Sequence, residues 1–194
     1  MKIGIDIDDV LIDFCYPFAE FHNQTYGTNW DKDDLNTYRL EDLTGDTWDE
    51  MQLKMDKFVK NTDFFNKKIS PEIKKSLEMI NQDHEVYLIT GRPDHYREGT
   101  LCWAKNNLGG LYKDVFFVYG NIEKVDKWEF CVNHGIEVMI EDLPEFALKC
   151  RDAGIKVLLF DHPWNQGIKG KNICRVKSWS DILQYFVKSS GVRA

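Results

Sequence analysis

The chain opens with MKIGIDIDDVLIDF (residues 1–14), and the fold turns on how this stretch is read. Ile3, Ile5 and Ile7 with Gly4 between them make a short, nearly continuous apolar run, the pattern of a strand buried on both faces. Asp6, Asp8 and Asp9 crowd its end, and a second apolar run, Val10 to Ile12, follows at once. Three carboxylates at the end of one buried strand repel each other and need a counter-charge.

The same strand pattern returns four times, in EVYLIT (85–90), VFFVYG (115–120), EVMIED (137–142) and KVLLFD (156–161). Helical patterns lie between: SPEIKKSLEMINQD (70–83), whose Ser-Pro start suits a helix N-terminus, then 93–109, 123–135 and 144–154, each ending at or near glycine. Strands alternating with helices predict an α/β fold, a parallel sheet covered by helices on both faces. Residues 13–69 break this rhythm with helical patterns near 15–26 and 46–60. A connection of that length predicts an inserted helical cap on a core made of 1–12 and 70–194.

Bulk properties set outer bounds. With 194 residues, 43% hydrophobic and 29% charged, the chain is long enough for one domain with a modest insertion. Its formal charge of −7 argues against broad binding of nucleic acid or anionic membrane. The cysteines at 15, 102, 131, 150 and 174 form no CxxC and no Cys/His cluster, and read as reduced thiols of a cytoplasmic protein. No signal peptide is expected, because aspartates interrupt the N-terminal apolar run, and no stretch is apolar enough to span a membrane. The five histidines show no metal spacing, although His162 falls near the strand ends, and LGGLY is too short for a phosphate-binding loop.

In open parallel sheets ligands bind beyond the carboxyl ends of the strands. Asp6, Asp8 and Asp9 end the first strand there, Thr90 the second, Glu141 and Asp142 the fourth, and Asp161 the fifth. Acids from distant parts of the chain converge on one rim. A hard divalent cation such as Mg²⁺, which takes one or two carboxylates, waters and phosphate oxygens, accounts for them.

DIDDV, LITGR, Lys127 and IEDLPE, in that order, resemble the four motifs of the haloacid-dehalogenase-type phosphohydrolases. The resemblance spans residues 6 to about 145. DIDDVLIDF, KWEFCVNHGIEVMIEDLPE and FDHPWNQ are most similar to the 5′(3′)-deoxyribonucleotidase-like group. The resemblance implies a Rossmann-like three-layer core and Mg²⁺-dependent hydrolysis of a small phosphomonoester, a nucleoside monophosphate first of all. It implies that Asp6 is the nucleophile that becomes an aspartyl-phosphate and that Asp8 is the general acid and base. Asp6, Asp142 and the backbone carbonyl of Asp8 would hold the metal, with Glu141 behind them. Thr90 and the Gly91 N–H would hold phosphate, and Lys127, or Lys124 in its place, would neutralise it. Asp9 departs from the small residue common at its position and reads as a helix cap or a contact to the insertion. Arg92 reads as a phosphate or substrate clamp, or as a surface ion pair.

The insertion is rich in aromatic residues, which either stack on a base or pack a core. For any one of them core packing is the ordinary role; the resemblance implies that one or two near the start, Phe14 or Phe18, face a nucleobase. Three other readings stand beside the nucleotidase: a phosphatase for another small ester such as a sugar phosphate, a phosphatase of nucleic-acid ends, and a silent phosphate- or nucleotide-binding module. The absence of a basic track weighs against extended nucleic acid. Retention of both motif aspartates weighs against silence.

Overall fold

The computed structural model describes residues 1–118 and 125–189. Among them, six strands form one parallel sheet: β1 Lys2–Ile5, β2 Glu85–Thr90, β3 Val115–Phe117, β4 Val138–Glu141, β5 Lys156–Phe160 and β6 Ile173–Val176. Their order, β3-β2-β1-β4-β5-β6, is that of a doubly wound α/β fold. The winding reverses between β1 and β4, and this opens a crevice beyond their carboxyl ends.

Alternation along the strands builds two cores. Ile3, Ile5, Val138, Ile140 and Leu158 face one side, against α4 (Pro71–Asp83), α5 (Arg97–Leu108) and α8 (Trp179–Ser189). Met139, Val157 and Leu159 face the other side, against α6 (Lys127–Asn133) and α7 (Pro144–Asp152). Gly4 has a packing reason. A Cβ there would lie 2.7 Å from both Ile89 Cδ1 and Met139 Sδ, so only glycine lets these two side chains close over β1.

The elements expected from sequence are present with trimmed ends. α4 starts where Ser-Pro placed it, and the Ser70 hydroxyl accepts from the Ile73 N–H. The helix expected from 93 begins as a 3₁₀ turn, Asp94–Tyr96, before α5. β6 and α8 were not foreseen. The far end of the VFFVYG run, the first residues of the 123–135 helix including Lys124, and the last residues of the tail lie outside the described residues.

Residues 13–69 form α1 (Cys15–Tyr26), α2 (Glu41–Thr44), α3 (Trp48–Asn61) and a 3₁₀ turn at Phe64–Asn66. A reciprocal capping box starts α3: the Glu50 N–H donates to the Thr47 hydroxyl, and the Glu50 carboxylate accepts from the Thr47 N–H. The Phe14 ring lies 5.9 Å from Phe18, 5.7 Å from Phe58 and 5.5 Å from Phe64. These rings are continuous with the core on the α4/α5 side of the sheet, so the insertion packs onto that core. No described helix is long and apolar enough to cross a membrane.

Candidate active site

The chain leaves β1 at Asp6, whose N–H donates to the Ile140 carbonyl at 3.0 Å and prolongs the pairing with β4. It then turns sharply at Asp9, the one non-glycine residue with positive φ (55°) among the described residues. Aspartate tolerates this left-handed conformation better than most L-residues. The Asp9 carboxylate is also used: it accepts from the N–H groups of Phe14 (2.9 Å) and Cys15 (3.1 Å). It thereby caps α1, whose own N-cap residue, Phe14, offers no side-chain bond. A small residue would serve the turn, whereas aspartate serves both the turn and the helix.

Lys127, at the start of α6, is buried between two acids. Its Nζ donates to Asp6 Oδ1 and Glu141 Oε2, each at 2.8 Å. The other Glu141 oxygen accepts from the N–H groups of Asp142 (3.2 Å) and Leu143 (3.1 Å). Glu141 therefore stands behind the site as the anchor of Lys127. Asp142 Oδ2 accepts from Trp164 Nε1 at 3.0 Å, and Asn165 Nδ2 donates to the Asp142 carbonyl at 2.7 Å. Asp142 Oδ1 is buried and has no hydrogen-bond partner among the described residues.

Burial sets the electrostatics of this floor. Desolvation pushes the Asp6 carboxyl up to about 7, against the opposing pull of Lys127. Asp9 is pushed up to about 6, and Asp142 well above the usual carboxylate range, again mainly by burial. Burial alone would lower Lys127, but the attraction of Asp6 and Glu141 outweighs it and the ammonium is held charged.

One carboxylate oxygen from each of Asp6, Glu141 and Asp142 lies within 4.8 Å of the others. The two Glu141 oxygens are taken by Lys127 and by backbone N–H groups, so Asp6 and the orphaned Asp142 Oδ1 are the donors left for a cation. Two carboxylates with room for water and phosphate oxygens is the donor set Mg²⁺ prefers. The residues fit the ion.

Asp8 lies two residues beyond Asp6 and is partly exposed to the cavity. Arg92 grips it with a fork, Nε to Oδ2 at 2.8 Å and Nη2 to Oδ1 at 2.7 Å, and Nη1 reaches the Thr100 hydroxyl at 3.0 Å. Arg92 is itself buried and stacked near Phe64, Phe65 and Trp103. It is thus no surface ion pair, and the fork expected on phosphate is closed on Asp8. Thr90 is fully buried with its hydroxyl accepting from the Arg92 N–H at 3.1 Å, while Gly91 lines the cavity.

Above this floor opens a cavity of about 890 Å³, lined at its base by Asp6, Asp8, Asp9, Gly91, Arg92, Lys127 and Asp142. Phe14, Trp48, Met55 and Phe64 supply apolar wall, and Tyr38, Arg39, Glu41, Gln52 and Glu145 supply polar wall. Phe14 reaches the cavity as expected. Phe18 does not: it is fully buried one helical turn further on, inside the aromatic core, so packing replaces the expected base contact. Asp161 also leaves the cluster, paired with Arg175 at 2.7 Å. Sequence reasoning missed Glu41, Gln52, Tyr96 and Trp164. For Trp164 a signal existed in FDHPWNQ, since His162 of that segment also meets the site, its Nε2 bonded to the Asp9 carbonyl at 2.7 Å.

Comparison with known proteins identifies the family and the fold. The model of the family described as 5′ nucleotidase, deoxy (pyrimidine), cytosolic type C protein matches residues 1–190. "Putative nucleotidase YqfW" of Bacillus subtilis (strain 168) is 28% identical over 188 residues, 95% of this chain and 93% of that protein. Among solved structures, the haloacid dehalogenase-like hydrolase SP0104 from Streptococcus pneumoniae superposes with a TM-score of 0.71 at 16% identity, covering 95% of this chain and 97% of its own. YfnB from Bacillus subtilis, solved bound to magnesium, superposes with a TM-score of 0.61 at 12% identity, covering 98% of both chains. The chain shares the fold of haloacid dehalogenase-like hydrolases, and it belongs to the 5′ nucleotidase, deoxy (pyrimidine), cytosolic type C protein family as a phosphomonoester hydrolase.

Proposed function

We propose that the protein is a Mg²⁺-dependent nucleotidase, hydrolysing nucleoside or deoxynucleoside 5′-monophosphates through a phosphorylated Asp6. The observation that carries this reading is the buried Asp6–Lys127–Glu141 chain beside the orphaned Asp142 Oδ1, at the floor of an aromatic-walled cavity. Five carboxylates (Asp6, Asp8, Asp9, Glu141, Asp142) face two cations (Lys127, Arg92), a balance that invites a divalent ion and then a phosphate. Asp6 and Asp142, with the Asp8 carbonyl, are the residues that would hold Mg²⁺. Bound there, the ion supplies positive charge for the phosphoryl oxygens. The magnesium-bound relative of the same fold supports this assignment.

The residues then divide the work. Asp6 attacks phosphorus, and the bond to the leaving oxygen breaks as that oxygen takes a proton from Asp8. Water then attacks the acyl phosphate, Asp8 accepts its proton, and phosphate leaves with Asp6 restored. Lys127 fixes the direction of Asp6 and balances charge on the phosphoryl group. Arg92 fixes Asp8, and the Gly91 N–H is offered to phosphate. Residues 13–69 act as a cap on the core formed by 1–12 and 70–194, excluding water and selecting the leaving group. Asp56 of α3 supports that role by meeting the Tyr96 hydroxyl and His95 Nε2 on the core. The free thiols suit a cytoplasmic setting.

The test is phosphate release from nucleoside 5′- and 3′-monophosphates, sugar phosphates and an aryl phosphate, with Mg²⁺ and with chelator. Selective, chelator-sensitive release from nucleotides is expected. Release from sugar phosphates alone would keep the chemistry and refute the substrate. Nucleotide binding with no release from any ester would refute the enzyme mechanism.

A further inference from the structure

The described reaction leaves one buried charged atom of the cavity wall unexplained. Glu41, first residue of α2, lines the cavity and is 9% exposed. Its Oε1 accepts from Arg39 Nε at 3.2 Å, but Oε2 is buried with no hydrogen-bond partner among the described residues. A buried carboxylate oxygen without a donor costs stability, and chains rarely keep one without a use. Arg39 offers no relief for Oε2, because its side chain is 60% exposed and its Nε is directed at Oε1.

The surroundings indicate what Oε2 meets. Trp48, Gln52 and Met55 present one face of α3 to the same cavity, spaced as neighbours on a helix. Phe14 and Phe64 add apolar wall, and Glu145 adds a second carboxylate. An aromatic and aliphatic wall with one orphaned acceptor suits a flat or cyclic leaving group that is neutral and carries an N–H or O–H donor. An anionic leaving group would meet the like charges of Glu41 and Glu145.

Resting on the nucleotidase reading, we propose that Glu41 is a specificity-determining residue: Oε2 accepts a hydrogen bond from the leaving group, from a base N–H or a sugar hydroxyl. The two sources share one chemistry, and matched substrates separate them. Inosine against guanosine monophosphate deletes one base amino group. Uridine against 3-methyluridine monophosphate deletes a ring N–H. Ribo- against 2′-deoxy pairs delete a hydroxyl.

The experiment measures kcat/KM for each pair with wild type, Glu41→Ala and Glu41→Gln, alongside thermal stability. For the pair that contains the recognised donor, Glu41→Ala should erase a preference of about 10- to 100-fold, acting mainly through KM. Glu41→Gln should restore part of it, because the amide oxygen still accepts. Equal losses on both members of every pair, with no rescue by Gln, would overturn the inference and leave Glu41 a structural residue of α2. If the wild type acts on sugar phosphates instead of nucleotides, the nucleotidase reading fails. The same variants on sugar and deoxy-sugar phosphates then decide Glu41 separately.

Discussion

Replacing Lys127 with Met probes the floor of the site most sharply. The ammonium is shared at 2.8 Å by two buried carboxylates, Asp6 and Glu141, so its removal leaves both acids facing each other without a cation. Breaking a buried pair by removing one partner costs about 3–5 kcal/mol, and here two partners are orphaned. For a chain of this size that is a fall in Tm of roughly 6–20 °C. The loss should depend on pH. In the metal-free wild type, burial already raises Asp6 from 3.8 to about 7. Between those values the folded state holds more protons than the unfolded state, so Asp6 weakens the fold as pH rises. Without Lys127 the Asp6 carboxyl is raised further; both proteins hold its proton below about 7, so the deficit of the variant should grow as pH rises above about 7. Denaturant unfolding in chelator from pH 5 to 9 measures it, with Lys127→Met/Glu141→Gln as the partner variant. The double variant should recover part of the loss, since one of the orphaned charges is gone. A deficit under about 1 kcal/mol that is flat with pH would refute the buried triad.

Further predictions concern the groups around this triad. Trp164→Phe keeps an aromatic ring but removes the N–H to Asp142 Oδ2, and should weaken Mg²⁺ about 10- to 100-fold in a titration of activity against free metal. Arg92→Lys replaces a fork by a point charge beside Asp8. It should lower kcat at little cost in KM, and more for nucleotides, whose leaving oxygen needs a proton, than for an aryl phosphate. Asp9→Ala loses the α1 cap and puts alanine at φ 55°, a combined destabilisation of about 2–3 kcal/mol by chemical denaturation, while Asp9→Asn should cost less than about 1. Added Mg²⁺ should raise Tm more at pH 8 than at pH 5, because protons compete for Asp6 and Asp142.

Much of this was legible from residue order. Buried parallel strands announce themselves as continuous apolar runs, and acids at their carboxyl ends point to the crevice where the winding reverses. β6 hid because Ile173–Val176 is an edge strand carrying Arg175, only partly buried and so only partly apolar. Glu41 and Gln52 hid because a polar side chain on a helix in an insertion looks the same in sequence whether it faces solvent or a cavity. Phe14 and Phe18 are one helical turn apart and indistinguishable by type, yet the packing of α1 puts one at the cavity and the other in the core. The role of Arg92 depends on a side chain 84 residues away in sequence, and no local pattern encodes that pairing.

The central claim is that Asp6 itself carries the phosphoryl group. Acid-quenched turnover of a nucleoside 5′-monophosphate, followed by proteolysis and mass analysis, tests it directly. Phosphate should appear on the peptide that begins MKIGIDIDD, dependent on Mg²⁺ and absent in Asp6→Asn. Sustained turnover in Asp6→Asn, with no phosphorylated N-terminal peptide in the wild type, would contradict the account.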